Sequence, residues 1–276
     1  MRFSLCNEVV RDLPFAAQCD LAASLGYEGL ELAPFTLGAE PHRLPAAEIA
    51  ALRRAASDSG IAITSLHWLL VAPAGLSITS DDAATRARTL DVIAGVVALA
   101  AELGAMHLVH GSPAQRVLPE GADREAARAR AIDAFAFAGE RARAAGVIYC
   151  IEPLDRGQTA FVNTIAEAAA IVRAIGNPAL RTMLDTCSAA NTEAEPLDAL
   201  VAHWLPTGLI AHVHLNDPNR RAPGQGAVRF GPVLSALRAQ GYGGTAAIEP
   251  FEYIPDGPTC AARAIGYLRG LLETLT

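Results

Sequence analysis

The chain has 276 residues, 51% of them hydrophobic, and its 22 basic and 29 acidic side chains give a formal charge of −7. This acidic balance argues against a nucleic-acid partner, because binding to phosphate backbones normally requires a basic face. Every basic residue in that count is an arginine, so a Schiff-base aldolase, which needs a lysine amine as its nucleophile, is excluded.

The cellular compartment is also constrained by the sequence. The five cysteines show no CxxC spacing and indicate scattered buried thiols in a reducing compartment. The N-terminal stretch MRFSLCNEVV becomes charged and polar too early for a secretory signal, and the apolar stretch 92–103 is too short to span a bilayer. We therefore expect a cytoplasmic protein without a membrane partner.

Short β-rich runs alternate along the chain with longer stretches of helical periodicity. The eight runs begin near Arg2, Gly29, Ile61, Met106, Val147, Arg181, Leu209 and Thr245. Helix signals lie between them, including Asp12-Leu13-Pro14 before the first helix and patterned stretches at 46–59, 81–103 and 123–145. Strict alternation predicts parallel strands, since parallel neighbours need a crossover connection. Eight such units predict one α/β domain over 1–276, a (β/α)₈ TIM barrel.

Each of the last four predicted strands ends in an ionisable side chain within an apolar run. These residues are Glu152 and Glu249, each in Ile-Glu-Pro, Asp185 in Leu-Asp-Thr and His214 in Val-His-Leu. They are one repeat unit apart each time, and the two prolines favour strand ends directly after the glutamates. Because such barrels build their active site where the strands end, we expect the four side chains to converge.

Three carboxylates and one imidazole form a ligand set that suits one divalent metal ion. Mn²⁺ is the preferred candidate, and Mg²⁺, Co²⁺ or Zn²⁺ is also compatible with these ligands. A carboxylate held near a metal and a substrate can accept a proton, so Glu152 and Glu249 are also candidate catalytic bases.

Other residues at the predicted strand ends are candidates for substrate contact. His67 and Trp68 end the third strand, and His110 ends the fourth. Arg220 lies in the loop after the seventh strand, where a guanidinium can reach a substrate hydroxyl or acid group. His212 is two residues before the ligand histidine on the same strand face, so we expect it one layer deeper, with a structural role.

Four segments together resemble the xylose-isomerase-like TIM barrels that include D-tagatose and D-psicose 3-epimerases. They are IEPLDRGQTAFVN (151–163), MLDT (183–186), AHVHLNDPNRRAPGQG (211–226) and AIEPF (247–251). The resemblance covers the whole chain in organisation and is sharpest from Cys150 onward. It implies that Glu152, Asp185, His214 and Glu249 bind the metal and that the arginine of the Asn-Arg pair, Arg220, binds substrate.

The resemblance also implies a mechanism. In the ketose epimerases the substrate chelates the metal through its carbonyl and a neighbouring hydroxyl. One glutamate removes the carbon-bound proton to give a metal-stabilised enediolate, and the other glutamate returns a proton to the opposite face. The partner implied for this chain is a small sugar-like molecule, and the expected assembly is a homodimer or a homotetramer.

Two positions depart from the ketose epimerases. Ser188 stands where they usually have a histidine three residues after the metal-binding aspartate, and Gln158 stands where a glutamate usually follows the EPxxR stretch. Both are substrate-contacting positions, so the prediction is a metal-dependent sugar isomerase or epimerase whose sugar is left open.

Other branches of the superfamily provide alternatives. Isomerases of the xylose isomerase type use a lysine beside the metals, and the endonuclease IV-like branch uses more histidines and a basic groove, so the sequence disfavours both. Two alternatives remain open. One is a metal-dependent dehydratase of the inosose or dehydroshikimate type, and the other is a barrel that binds a sugar acid or supports a partner subunit without turnover.

Overall fold

The computed structural model describes residues 1–120 and 123–275. Eight parallel strands follow one another around a closed barrel, and the first strand pairs with the last. The strands are β1 (Arg2–Cys6), β2 (Gly29–Leu32), β3 (Ala62–Leu66), β4 (His107–His110), β5 (Ile148–Ile151), β6 (Leu180–Asp185), β7 (Ile210–Leu215) and β8 (Thr245–Ile248). The predicted (β/α)₈ TIM barrel is confirmed.

Helices form most of the connections between the strands. They are α1 (Phe15–Leu25), α2 (Ala46–Asp58), α3 (Ala83–Leu103), α4 (Arg124–Ala145), α5 (Ile165–Ile175), α6 (Thr186–Thr192), α7 (Leu197–Trp204), α8 (Phe230–Ala239) and α9 (Gly257–Thr274). Short 3₁₀ turns lie at Asn7–Val10, Pro34–Thr36, Pro41–Arg43, Ala114–Arg116 and Leu205–Thr207.

Local signals explain where the long helices begin and end. The side chain of Asp82 accepts a hydrogen bond from the Thr85 amide and so caps the start of α3. Gly104 ends that helix with a left-handed φ of 81°, and Gly146 ends α4 in the same way with a φ of 71°. The predicted stretches 81–103 and 123–145 therefore match α3 and α4 closely.

The buried side chains form two layers. The main core lies between the outer faces of the strands and the surrounding helices. A smaller buried cluster of Val109, Cys150 and Met183 lies on the inner faces of β4 to β6. All five cysteines are free and buried, as predicted. Among the helices of the described ranges, none is long and apolar enough to cross a membrane.

Candidate metal centre and active site

The side chains of Glu152, Asp185, His214 and Glu249 meet at the carboxyl ends of the last four strands. One ligand atom of each residue lies within 4.8 Å of those of the other three. None of the four residues is more than 5% exposed. The barrel thus brings together the side chains that the repeat spacing places one strand apart.

His214 is oriented by a carboxylate beneath it. Its Nε2 atom lies 2.9 Å from Glu31 Oε1. Its Nδ1 atom faces the cluster, 2.9 Å from Glu249 Oε2 and 3.7 Å from Glu152 Oε1. Within the described part of the chain, this buried nitrogen has no hydrogen bond of acceptable geometry. A metal-binding histidine typically directs its other ring nitrogen to a carboxylate, as His214 does here.

Glu31 is a residue of the site that was not predicted from the sequence. Its Oε2 atom accepts a hydrogen bond from Ser65 Oγ at 2.6 Å and lies 2.7 Å from His212 Nε2. Burial raises the pKa of Glu31, but the imidazoles of His212 and His214 outweigh that effect and hold the pKa well below its usual range. His212 pairs with Glu31 and is not part of the four-residue cluster, so it lies one layer below the mouth, and its structural role stays a prediction. An isolated acid in the apolar run GLELAPF was the available signal for Glu31.

Asp185 is held by two hydrogen bonds. Its Oδ1 atom accepts from the Ser188 amide at 2.6 Å, which caps α6, and its Oδ2 atom accepts from Asn216 Nδ2 at 2.7 Å. Asn216 also donates to the Glu249 carbonyl at 3.1 Å, so this one side chain joins the ends of β6, β7 and β8. Burial, together with the neighbouring carboxylates of Glu152 and Glu249, raises the pKa of Asp185 to about 7.

The donor set fits a divalent cation. Three buried carboxylates facing one another repel unless protons or a cation lie between them. The raised pKa of Asp185 reflects burial first and that repulsion second. His214 directs its Nδ1 atom into the same space, and no described residue forms a hydrogen bond with that atom. Oxygen-rich ligands with one imidazole suit Mn²⁺, Mg²⁺ or Co²⁺ and are compatible with Zn²⁺.

Glu152 is positioned by the loop after β4. A Cβ atom added to Gly111 would lie 1.5 Å from Glu152 Oε2, so the carboxylate occupies space that only a glycine leaves free. Arg116 is fully buried and donates from Nη1 to the Glu152 carbonyl oxygen at 2.8 Å. Neither neighbour was among the residues predicted from the sequence.

His67 lies behind Glu249 rather than at the surface of the cleft. Its Nδ1 atom is 2.9 Å from Glu249 Oε1, and its Nε2 atom is 2.9 Å from Glu8 Oε2. Burial lowers the pKa of His67, but these two carboxylates raise it to about 10. Both ring nitrogens are occupied, so His67 orients Glu249. The structure therefore does not support the predicted direct contact between His67 and substrate.

His110 lies away from the cleft, contrary to the prediction. Its ring lies in the layer between strands and helices, 5.1 Å from the Phe135 ring on α4, with Nδ1 at 2.7 Å from Tyr149 Oη. Burial and the nearby Arg116 lower the pKa of His110 to about 3, which keeps the ring neutral. The prediction that it contacts substrate relied on its place at a strand end, but its side chain points away from the mouth.

The remaining candidates lie around the cleft or at its rim. Trp68 and Gln158 line the cleft together with the two glutamates, Gly111, Leu154 and Phe251. Ser188 is buried in the first turn of α6, next to Asp185. Arg220 is exposed at the rim, with its guanidinium carbon 4.9 Å from the centre of the Phe251 ring.

Two of these residues have a left-handed backbone, which is unusual for side chains other than glycine. Trp68 has a φ of 53° and Arg220 a φ of 67°. Arg220 is held in place because its carbonyl oxygen accepts from the Phe251 amide at 2.8 Å and from the Glu252 amide at 2.9 Å. Such strain is typical of residues that shape functional sites.

Comparison with known proteins agrees with this architecture. A family model described as xylose isomerase-like TIM barrel matches residues 19–271. The chain belongs to this family. The resemblance in the strand-end motifs is thereby confirmed.

Two relatives and one solved structure show how similar individual proteins are to this chain. D-psicose 3-epimerase of Agrobacterium fabrum is 28% identical over 243 residues, which cover 86% of this chain and 79% of that protein. L-ribulose 3-epimerase of Mesorhizobium japonicum is 28% identical over 205 residues, which cover 74% of this chain and 67% of that protein. A crystal structure of D-psicose 3-epimerase in the presence of D-fructose superimposes with a TM-score of 0.84 at 23% identity, over 99% of both chains, and supports the fold.

Proposed function

We propose that this protein is a metal-dependent ketose 3-epimerase, which inverts the carbon next to a ketone by removing and returning a proton. The observation that carries the proposal is the meeting of Glu152 and Glu249 with Asp185 and His214 in one buried cluster. The names of the relatives point the same way, since they are epimerases of D-psicose and L-ribulose.

Glu152, Asp185, His214 and Glu249 would hold the metal, with Mn²⁺ as the preferred candidate. When bound, the metal would supply Lewis-acid polarisation of the ketone and of the neighbouring hydroxyl, which would make the C–H bond of the carbon that carries this hydroxyl more acidic. The carboxylates that line the cleft are the proton carriers.

Each glutamate is held differently by the chain. Glu249 has one oxygen held 2.9 Å from His67 Nδ1, while its other oxygen faces the cluster, 2.9 Å from His214 Nδ1. The Glu152 carboxylate lies against Gly111. Since the two side chains come from β5 and β8, they approach a substrate from different sides of the mouth. One can accept the carbon-bound proton while the other delivers a proton to the opposite face.

The test is incubation of the Mn²⁺-loaded protein with D-psicose, D-fructose and D-tagatose in deuterated water. We expect the epimer at the carbon next to the ketone, labelled with deuterium there, and loss of turnover after chelation of the metal. Glu249→Gln should lower the rate of epimerisation by about 10²–10⁴-fold, and Glu252→Gln, which changes an exposed glutamate on the same loop, serves as the matched control.

Two outcomes would contradict the proposal, and each would favour another function. A product lighter by one water would identify a dehydratase, because that reaction expels a hydroxyl after the same proton removal. Binding of a sugar without exchange of its carbon-bound proton would favour the non-catalytic alternative.

A further inference from the structure

A second pocket lies beside the metal cleft and shares Trp68 and Phe251 with it. The other residues that line this outer pocket are Glu8, Arg11, Phe35, Val71, Arg220 and Tyr253. Its volume is about 250 Å³, against about 10 Å³ for the inner cleft. A space of roughly 10–15 Å³ holds about one water. The inner cleft is narrow at the reacting group, and the outer pocket offers the larger space for the rest of a substrate.

Aromatic rings form much of the wall of the outer pocket. Trp68 and Phe251 meet edge to face with 6.3 Å between ring centres, and Phe35 and Tyr253 contribute two more rings. The Arg220 guanidinium lies over the Phe251 ring. Apolar walls with a few placed polar groups are typical of small-molecule sites, and flat aromatic faces suit the C–H faces of a sugar ring.

Glu8 is the carboxylate among the residues that line the outer pocket. This residue is 5% exposed, and its Oε2 atom lies 2.9 Å from His67 Nε2. Its Oε1 atom is buried and has no hydrogen-bond partner among residues 1–120 and 123–275. A buried acceptor without a partner is costly, so rotation of this carboxylate toward a ligand that donates a hydrogen bond would be favoured. A hydroxyl can donate this bond, whereas an anionic group would be repelled.

The rim adds hydrogen-bond donors to this acceptor. Arg11 and Arg220 are both exposed at the edge of the pocket. One buried acceptor, two guanidinium groups and four aromatic rings together match a neutral ring that carries many hydroxyls. The size also fits, because an engineered cavity of about 150 Å³ already accepts a benzene ring. The short tail that a ketohexose extends beyond its reacting carbons needs less than the 250 Å³ provided here.

We propose that the outer pocket binds a second sugar ring, so that the substrate class is a ketose carrying a glycosyl substituent remote from the reacting carbon. This inference rests on the proposed epimerase function, and it specifies the substrate class of that site.

The test compares D-fructose with isomaltulose and lactulose, which are D-fructose units that carry a glucosyl or galactosyl ring and keep the ketone and its neighbouring hydroxyl free. With the Mn²⁺-loaded protein we expect kcat/KM for at least one disaccharide to exceed that for D-fructose by about tenfold or more, chiefly through a lower KM. Phe35→Ala and Arg11→Ala should bring this ratio close to one, whereas Arg54→Ala, on the exposed face of α2, should leave it unchanged.

Equal or better turnover of D-fructose, or a ratio that survives Phe35→Ala, would overturn the proposal. A preference for D-fructuronate over both disaccharides would also overturn it, in favour of an acidic tail bound by the arginines. Calorimetry separates this proposal from the epimerase function. If no substrate is turned over, binding of isomaltulose that Phe35→Ala weakens would still support the outer pocket, and absence of binding would refute it.

Discussion

Gly111 offers the sharpest test of the role of Glu152. An alanine Cβ at this position would lie 1.5 Å from Glu152 Oε2 and 2.8 Å from Glu152 Cδ, whereas Cβ contacts under 3.0 Å essentially never occur. The carboxylate oxygen must therefore move by about 1.5 Å or more, and a misplacement of about 1 Å can cost about 100-fold in rate. We expect Gly111→Ala to lower kcat/KM by at least about 100-fold, equivalent to about 2.7 kcal/mol of transition-state stabilisation.

The clash in this variant involves the end of a flexible side chain, so the fold should survive. Kinetics, Mn²⁺ calorimetry and thermal unfolding of the metal-free protein would separate loss of the site from loss of stability. Gly270→Ala is the matched control, because an added Cβ at this position in α9 meets nothing within 4 Å. A glycine-to-alanine change inside a helix should stabilise by roughly 0.5–1 kcal/mol and leave activity intact. If Gly111→Ala keeps kcat/KM within about threefold of wild type, Glu152 does not act where we place it.

Three further predictions concern the same cluster. Glu249→Gln keeps an oxygen ligand but cannot accept a proton, so turnover should fall by about 10²–10⁴-fold while calorimetry still detects Mn²⁺; near-normal turnover would contradict the two-base mechanism. Glu31→Gln should weaken Mn²⁺ binding by about 10–100-fold, because Glu31 orients His214. Glu48→Gln, on the exposed face of α2, should leave the affinity unchanged. Equal Mn²⁺ affinities of Glu31→Gln and wild type would show that Glu31 does not orient His214. Burial and the neighbouring carboxylates raise the pKa of Asp185 to about 7. Burial lowers the pKa of His214, but the carboxylates of Glu249 and Glu31 outweigh it and raise this pKa well above its usual value. Both groups must lose protons to bind a metal, so Mn²⁺ affinity measured by calorimetry should rise between about pH 6 and pH 8, and an affinity independent of pH would contradict this account.

The barrel and the meeting of its four strand-end side chains were predictable because both depend on periodicity. Each unit of strand, loop and helix leaves its own pattern, and a residue such as Asp185 or Glu249 stands out as the single ionisable group in an apolar run. Parallel strands of a closed barrel all end on one side, so these groups have to meet. The residues that position these groups were harder to predict, since Asn216 and Gly111 act through contacts between segments that are distant in sequence.

The error at His110 has a specific physical cause. Strands of a parallel barrel are buried on both faces, so their hydrophobic pattern does not reveal which side chains face inward. The pairing of β4 with β5 does reveal it, because Val109 is opposite Cys150, two residues before the inward-facing Glu152. Val109 therefore points into the barrel with Cys150, and His110, the next residue, must point to the helices. Side chains also alternate between the two faces along β2. Glu31 points to the inner face, where its carboxylate reaches the two histidines of β7.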